Sequence, residues 1–499
     1  MATAIGEALV LGVAGAGARG AGIAQVAAQA GIEARIFDTR EGAARRARNG
    51  IAERLRQRAA DGKLPTEAAE AAIARLVPVD RLEALAGANV VIEAIVEDLA
   101  VKRDLFARLE EIVGDEAILA SNTSSLPIGS IAAKLRNRGR VGGLHFFNPV
   151  PLMRLVEVIP GPETTEATVR ALLDLGERLG REPVRVRDTP GFLVNFGGRA
   201  YATEALAILH ENAATPAQID AVMRDCCGFR MGPFELMDLT GIDVNFPVTR
   251  FIHDSFFGDP RLRSTPRHRY LLETGQLGRK TKRGFYGYGD GDAQTSPDAP
   301  TAGSAADAVV LVEPGDRLHA LVRDLGVAVL ERDDGVSPLL CAPVGEDATA
   351  VAVRTGQDAR RLVALDLGFD TTKRIVAMTA PGAAPAALQS VVNLLAASGR
   401  TVTVIGDSPG FIAQRIVAMV GNLGCEMAQM GIADPHDIDK AMRLGLNYPQ
   451  GPLEFVDAFG TGNSLAVLTA LQALTGDDRY RPSQWLRRRA ALKLPVWTA

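Results

Sequence analysis

The chain has 499 residues, too many for one ordinary core, so roughly two to four domains are expected, each able to bury its own. Hydrophobic residues make up 47%, charged residues 23%, and the net charge is -4, the composition of a soluble globular protein without the polybasic block that nucleic acid or an anionic membrane would attract. The cysteines, Cys226, Cys227, Cys341 and Cys425, lack metal-ligand spacing, the adjacent pair is poorly placed for a disulfide, and no apolar run approaches a membrane span, so a soluble cytoplasmic protein without a metal is expected.

In chain order, Ala8 to Val13 reads as a strand, followed by Gly15, Gly17 and Gly20 in the spacing Gly-x-Gly-x-x-Gly and then by GIAQVAAQAG with helical packing of small residues. Strand, tight turn and helix in that order make a pyrophosphate cradle at a helix N-terminus. Ala34 to Phe37 reads as a second strand ending at Asp38, where a carboxylate suits a ribose diol and disfavours the 2′-phosphate of NADP, although Arg40 lies close enough to blur that preference. Asn89 to Ile95 and Ala117 to Ala120 read as buried strands, the first running into Glu97 and Lys102 and the second into SNTSSL, at the strand ends where doubly wound sheets bind ligands. That Ser/Thr/Asn run reads equally as a turn rich in local hydrogen bonds.

Further on, LHFFNPVPLMRLVEVIPG sets His145 twelve residues before Glu157 inside apolar sequence. A histidine with a carboxylate on its second ring nitrogen points to proton transfer. Read alone, His145 fits a buried histidine with an ordinary hydrogen bond equally well.

Taken together, GAGARGAGIAQ, VIEAIVEDLAVK, SNTSSLPI, HFFNPVPLMRLVEVI, DTPGFLVN, MGPFELMDLTGID and GRKTKRGFYGY make the first 290 residues or so resemble the 3-hydroxyacyl-CoA dehydrogenase family. The resemblance implies a doubly wound NAD-binding domain followed by an all-helical domain, and oxidation of a (3S)-3-hydroxyacyl-CoA to the 3-oxoacyl-CoA with NAD. It implies His145 as catalytic base, Glu157 as its partner, and Ser124 and Asn195 near the substrate oxygens. It also puts Asp38, Glu97, Lys102, Asn122 and Lys280 on cofactor-contacting positions, beside the three glycines. For coenzyme A it offers Arg54, Arg58 and Lys63. Arg19 stands where the family usually has Met, Phe196 where Arg is common, and Phe229 with Arg230 where Tyr and Pro are usual.

A second copy of the helical domain follows. An offset of 219 residues aligns DTPGF at Asp188 with DSPGF at Asp407, IDAVMR at Ile219 with IDKAMR at Ile438, and GPFELMDLTG at Gly232 with GPLEFVDAFG at Gly451. Carried backward, the offset sets Ala364 opposite His145, Val376 opposite Glu157 and Gln414 opposite Asn195, a copy without base or partner. The expected order is an NAD-binding domain (1–186), a helical domain (187–290), a Pro/Ala/Ser/Gly-rich linker (291–307), a degenerate α/β domain without a cofactor turn (308–405), and a second helical domain (406–499). Short family members pair through their helical domains, so the two copies are expected to pack as an intrachain pseudo-dimer, with further homo-oligomers open.

Two-copy chains of this kind resemble enzymes of bacterial phenylacetate catabolism, which implies 3-hydroxyadipyl-CoA or 3-hydroxybutyryl-CoA as substrate. Arg154, Arg199 and Arg230 are candidate cations for a second carboxylate. Two other readings stay open. A dehydrogenase of a free hydroxy acid such as gulonate is separated by coenzyme A dependence, and a non-catalytic binding protein that keeps the fold is separated by its failure to oxidise NADH.

Overall fold

A computed structural model describes residues 9–289, 291–292 and 296–498. Ala8 of the expected first strand and 293–295 of the expected linker lie outside them. The chain forms two compact units: residues up to Phe196 together with Met430–Leu446, and Gly197–Gln429 together with Asn447–Ala499.

The first unit is built on an eight-stranded sheet: β1 (Val10–Ala14), β2 (Glu33–Phe37), β3 (Leu76–Val79), β4 (Val90–Glu93), β5 (Ile118–Ser121), β6 (Val141–Phe146), β7 (Leu155–Pro160) and β8 (Glu182–Arg185). Their spatial order is β3-β2-β1-β4-β5-β6-β7-β8, parallel except where β7 runs against β6. Helices cover the sheet, so the strands read as near-continuous apolar runs. Leu11, Val13, Ile36 and Ile92 meet Ile23 and Val26 of the helix Ala18–Gln29 in the core.

The second unit contains a shorter sheet: β9 (Ala308–Leu311), β10 (Ala328–Val329), β11 (Leu339–Cys341), β12 (Leu362–Asp366), β13 (Arg374–Met378) and β14 (Thr401–Ile405), ordered β10-β9-β11-β12-β13-β14. Here too a single antiparallel pair, β12 with β13, sits among parallel ones. The run β9-β11-β12-β13-β14 repeats β4-β5-β6-β7-β8. What is missing is the β1-β2-β3 part with its glycine turn, which is why this half keeps a core but no dinucleotide cradle.

The helical repeat is visible in detail. Phe192 (φ 47°) and Phe411 (φ 51°) share a left-handed backbone. Asp188 accepts from the Gly129 amide at 3.1 Å, and Asp407 accepts from Ala348 at 2.7 Å, at the same offset on both partners. Within the second unit the copies touch through buried charge. Arg415 Nε lies 2.6 Å from Glu204 Oε1 and its Nη1 2.6 Å from Glu211 Oε2, while Arg479 reaches Glu204 Oε2 at 2.9 Å. Burial opposes the Arg415 charge, but Glu204 and Glu211 outweigh it and hold the guanidinium above its usual range. Phe229 stacks on Phe455 across the same contact, with ring centroids 5.6 Å apart.

The first unit runs past 187 to Phe196 and takes in the helix Pro435–Leu446 of the second copy, so its compact boundaries do not follow the repeat. The described part of the linker after 295 is tied down: Ala299 N–H donates to Val402 O at 2.7 Å, and Asn393 Nδ2 donates to Ala302 O and Ser304 O. Finally, β12 and β13 pair Asp366 with Val376, where β6 and β7 pair His145 with Glu157. The second hairpin is two residues shorter, so Asp366 rather than Ala364 takes the register position of His145.

Candidate active site

Gly15 (φ +115°) ends β1, and a Cβ there would sit 2.4 Å from Ala94 O; a Cβ on Gly20 would sit 1.9 Å from Gly15 O. Only glycine fits at either point. Nothing lies within 4 Å of the Cβ position of Gly17, so that face of the turn stands open to a ligand. Asp38, at the end of β2, accepts from the Ala16 amide at 2.8 Å and from Arg40 Nε at 3.1 Å. Burial raises its carboxyl, but the Arg40 guanidinium and the two backbone amides outweigh burial and hold it below the usual carboxylate range. A cleft of about 500 Å³ opens beside these residues, walled by Ile95, Val101 and Leu105. Glycine turn, open face, ribose-type acid and apolar slot fit a dinucleotide.

Asp98 caps the helix Leu99–Ile112, accepting from Val101 N. Glu97, just before it, gathers the loop after β5: its Oε1 accepts from Thr123 Oγ1 at 2.6 Å, Ser124 N at 2.9 Å and Ser125 Oγ at 2.9 Å. Burial works against this carboxylate, but the Thr123 hydroxyl, the Lys102 charge and the Ser125 and Ser124 donors lower it to about 2. Lys102 is only 1% exposed, its ammonium 2.6 Å from Glu93 and 3.2 Å from Glu97. Glu93 is a residue the sequence reading passed over. It is fully buried at the end of β4 and also accepts from Ser121 Oγ at 2.7 Å. A carboxylate inside an otherwise apolar strand, nine residues before a lysine, was the available signal. Asn122 Oδ1 accepts from the Phe146 amide at 2.8 Å and so fixes the strand next to His145.

Cross-strand pairing places His145 opposite Glu157, with Nδ1 2.7 Å from Glu157 Oε2 and both side chains buried. Glu157 Oε1 accepts from the amides of Leu193 at 3.2 Å and Val194 at 3.0 Å, so the carboxylate is gripped on both oxygens. Phe147 and Phe192 stand 4.6 Å and 5.9 Å from the imidazole, a low-dielectric wall in which the contact strengthens. Among the described residues Nε2 of His145 makes no hydrogen bond. Asn195 Nδ2 lies 3.4 Å from Ser124 O, which brings the two expected substrate-facing residues together.

Other expected site residues stand as follows. Arg54 lies on the helix Ala43–Ala60 and donates to Gln25 Oε1 at 3.2 Å; Arg58 follows one turn on, and exposed Lys63 lies 3.4 Å from Asp61. Lys280 lies in the second unit, 2.5 Å from Asp243. Arg154 is exposed and paired with Glu182, Arg230 is exposed, and Arg199 donates to Thr249 Oγ1 at 2.8 Å.

Family models match almost the whole chain. Residues 10–189 match the 3-hydroxyacyl-CoA dehydrogenase NAD binding domain, 191–288 and 410–494 its C-terminal domain, and 340–409 the reduced Rossmann-fold domain of 3-hydroxybutyryl-CoA dehydrogenase. The chain belongs to the 3-hydroxyacyl-CoA dehydrogenase family. Members are NAD-dependent oxidoreductases, and NAD is the cofactor of its first domain. The chain is 40% identical over 486 residues, 96% of its length and 97% of the other's, to 3-hydroxyadipyl-CoA dehydrogenase of Escherichia coli. The crystal structure of an Escherichia coli 3-hydroxybutyryl-CoA dehydrogenase matches with a TM-score of 0.88 at 38% identity, covering 97% of this chain and 99% of that one. Mitochondrial hydroxyacyl-coenzyme A dehydrogenase of Sus scrofa is 39% identical over 282 residues, 55% of this chain and 90% of that one, so it corresponds to a single copy. Among the described residues no helix is long and apolar enough to cross a membrane.

Proposed function

We propose that the enzyme oxidises a (3S)-3-hydroxyacyl-CoA to the 3-oxoacyl-CoA at one centre per chain, with His145 as general base and Glu157 as its partner. The observation that carries this reading is the 2.7 Å contact between His145 Nδ1 and Glu157 Oε2. A carboxylate accepts only, so Nδ1 carries the proton and Nε2 keeps its lone pair. Nε2 takes the proton of the substrate hydroxyl, and Glu157 balances the imidazolium that forms. When bound, NAD accepts the hydride leaving the same carbon. Ser124 and Asn195 hold the hydroxyl or the thioester carbonyl by hydrogen bonds. Asp38 receives the ribose diol, and Glu97 with Lys102 and Asn122 shapes the loop beside the cofactor. Arg54, Arg58 and Lys63 attract the anionic coenzyme A end.

The names of the relatives support 3-hydroxyadipyl-CoA or 3-hydroxybutyryl-CoA as the substrate and speak against a free hydroxy acid such as gulonate. The buried Glu204, Arg415 and Arg479 cluster and the Phe229 and Phe455 stack support an intrachain pseudo-dimer of the helical copies. Free thiols at all four cysteines suit a reducing cytoplasm. A steady-state panel with NADH and NADPH, covering acetoacetyl-CoA, a dicarboxylic 3-oxoacyl-CoA and a free oxo acid, tests substrate and cofactor together. NADH oxidation that requires the thioester is expected; equal rates with the free acid would contradict the assignment.

A further inference from the structure

The helix Pro435–Leu446 belongs to the second copy by sequence, yet it packs within the first compact unit. Arg187 ties its lead-in there, donating from its amide to Ile432 O at 2.8 Å and from Nη1 to Met430 O at 2.9 Å. At the far end of the helix, Gly445 comes so close that a Cβ would lie 3.0 Å from Leu155 Cδ2 and 3.1 Å from each Val194 methyl. Both neighbours are buried, Leu155 at 0% and Val194 at 1% exposed, so any yielding has to be taken up inside a packed interior. Both lead directly to the dyad. Leu155 opens β7 two residues before Glu157 and shares its face of the sheet, and the Val194 amide is one of the two donors that grip Glu157 Oε1.

We infer that Gly445 is a positioning residue for the reaction: it seats the second copy's helix against Leu155 and Val194 and so holds Glu157 in register with His145. This rests on the dyad reading above. The duplicated contact supports it. The offset of 219 puts Cys226 at the place of Gly445, in the helix Pro216–Cys227, where its Sγ lies 3.6 Å from the carbonyl of Arg374 at the start of β13. There the counterpart of Glu157 is Val376, with no carboxylate to hold, and a side chain is accommodated. Glycine stands at the copy of the contact that backs an acid. In this account the second half, though it lacks a base of its own, works in the chemistry of the first.

The test uses the full chain. Gly445→Val is expected to lower kcat for 3-hydroxyacyl-CoA oxidation roughly tenfold or more, since small displacements of reacting groups are costly, while the KM for NAD and the Kd for NADH stay put. Adding Val194→Ala removes two of the three methyl groups that the new side chain strikes, leaving Leu155 Cδ2, and should restore part of kcat. Cys226→Val, the same change at the duplicated contact, should leave kcat within about twofold. If Gly445→Val does not fold, Gly445→Ala is read in the same way with a smaller effect. Unchanged kcat in the Gly445 variants, or a joint loss of kcat, NADH binding and Tm that Val194→Ala does not rescue, overturns the inference. Glu157→Gln is measured in parallel: wild-type kcat there sinks the dyad reading itself, whereas a crippled Glu157→Gln beside an unaffected Gly445→Val sinks only the role of Gly445.

Discussion

At the scale of the residue, the polar positions of the site divide into a paired histidine and carboxylate and the groups that hold the loop after β5. His145 and Glu157 are paired at 2.7 Å, and their spacing in an apolar segment was legible because an isolated charge there would be costly. Lys102 shows the other kind. Its ammonium lies buried between Glu93 and Glu97, the carboxylate that gathers the loop after β5. Glu93 escaped the reading because the strand NVVIEAI gives no hint of which side chain will answer a carboxylate inside it. Glu97 carries a pH signature. Its folded carboxyl lies at about 2 against its ordinary 4.5, so the stability it lends is fully present above pH 4.5 and is lost as pH falls from 4.5 towards 2. Glu97→Gln, without cofactor, should therefore lower Tm at pH 7, and the difference from wild type should shrink below pH 4.5. A constant difference across that range would count against the assignment.

At the scale of the element, the doubly wound sheet and the repeat were readable, and the hairpin register was not. Apolar runs and the glycine turn marked β1, β2, β4 and β5, while Pro78 interrupts β3, Pro183 interrupts β8, and β11 is only three residues long. The fixed offset found the second copy through its caps and turns. It failed inside β12, because a hairpin shortened by two residues slips the strand while keeping the same faces, and no gap in the neighbouring motifs records it. The slip has a chemical result: Asp366, buried and hydrogen-bonded to Gln414 Nε2 at 2.9 Å, stands where the first copy has His145. Burial raises its carboxyl, against which the Gln414 amide works. A carboxyl raised on folding costs stability as pH climbs from its ordinary 3.8 through the folded value, since the native state then binds the proton more tightly. Asp366→Asn should leave kcat unchanged and gain Tm relative to wild type as pH rises from 4 to 8. A selective fall in kcat would mean that the second copy has a chemistry of its own.

At the scale of the whole molecule, duplication has produced two helical copies that share one buried charge cluster, and one of the second copy's helices packs in the unit that carries the dyad. Phe196, where the family usually has Arg, has Arg415 as its counterpart at the same offset, and Arg415 binds Glu204 and Glu211 of the first copy. Arg415→Met removes one of the two arginines set against the buried Glu204 and leaves Arg479 to face it. It should destabilise the protein by roughly 3–5 kcal/mol, read as a marked drop in Tm, and a shift near zero would contradict a pseudo-dimer held there. Proton transfer at His145 is tested by setting kcat of His145→Gln beside its NADH Kd. In His145→Gln, kcat is expected to fall roughly 10²- to 10⁴-fold while NADH binds as in wild type. Turnover near the wild-type rate, or an equal loss of NADH binding, would contradict it and return His145 to the core.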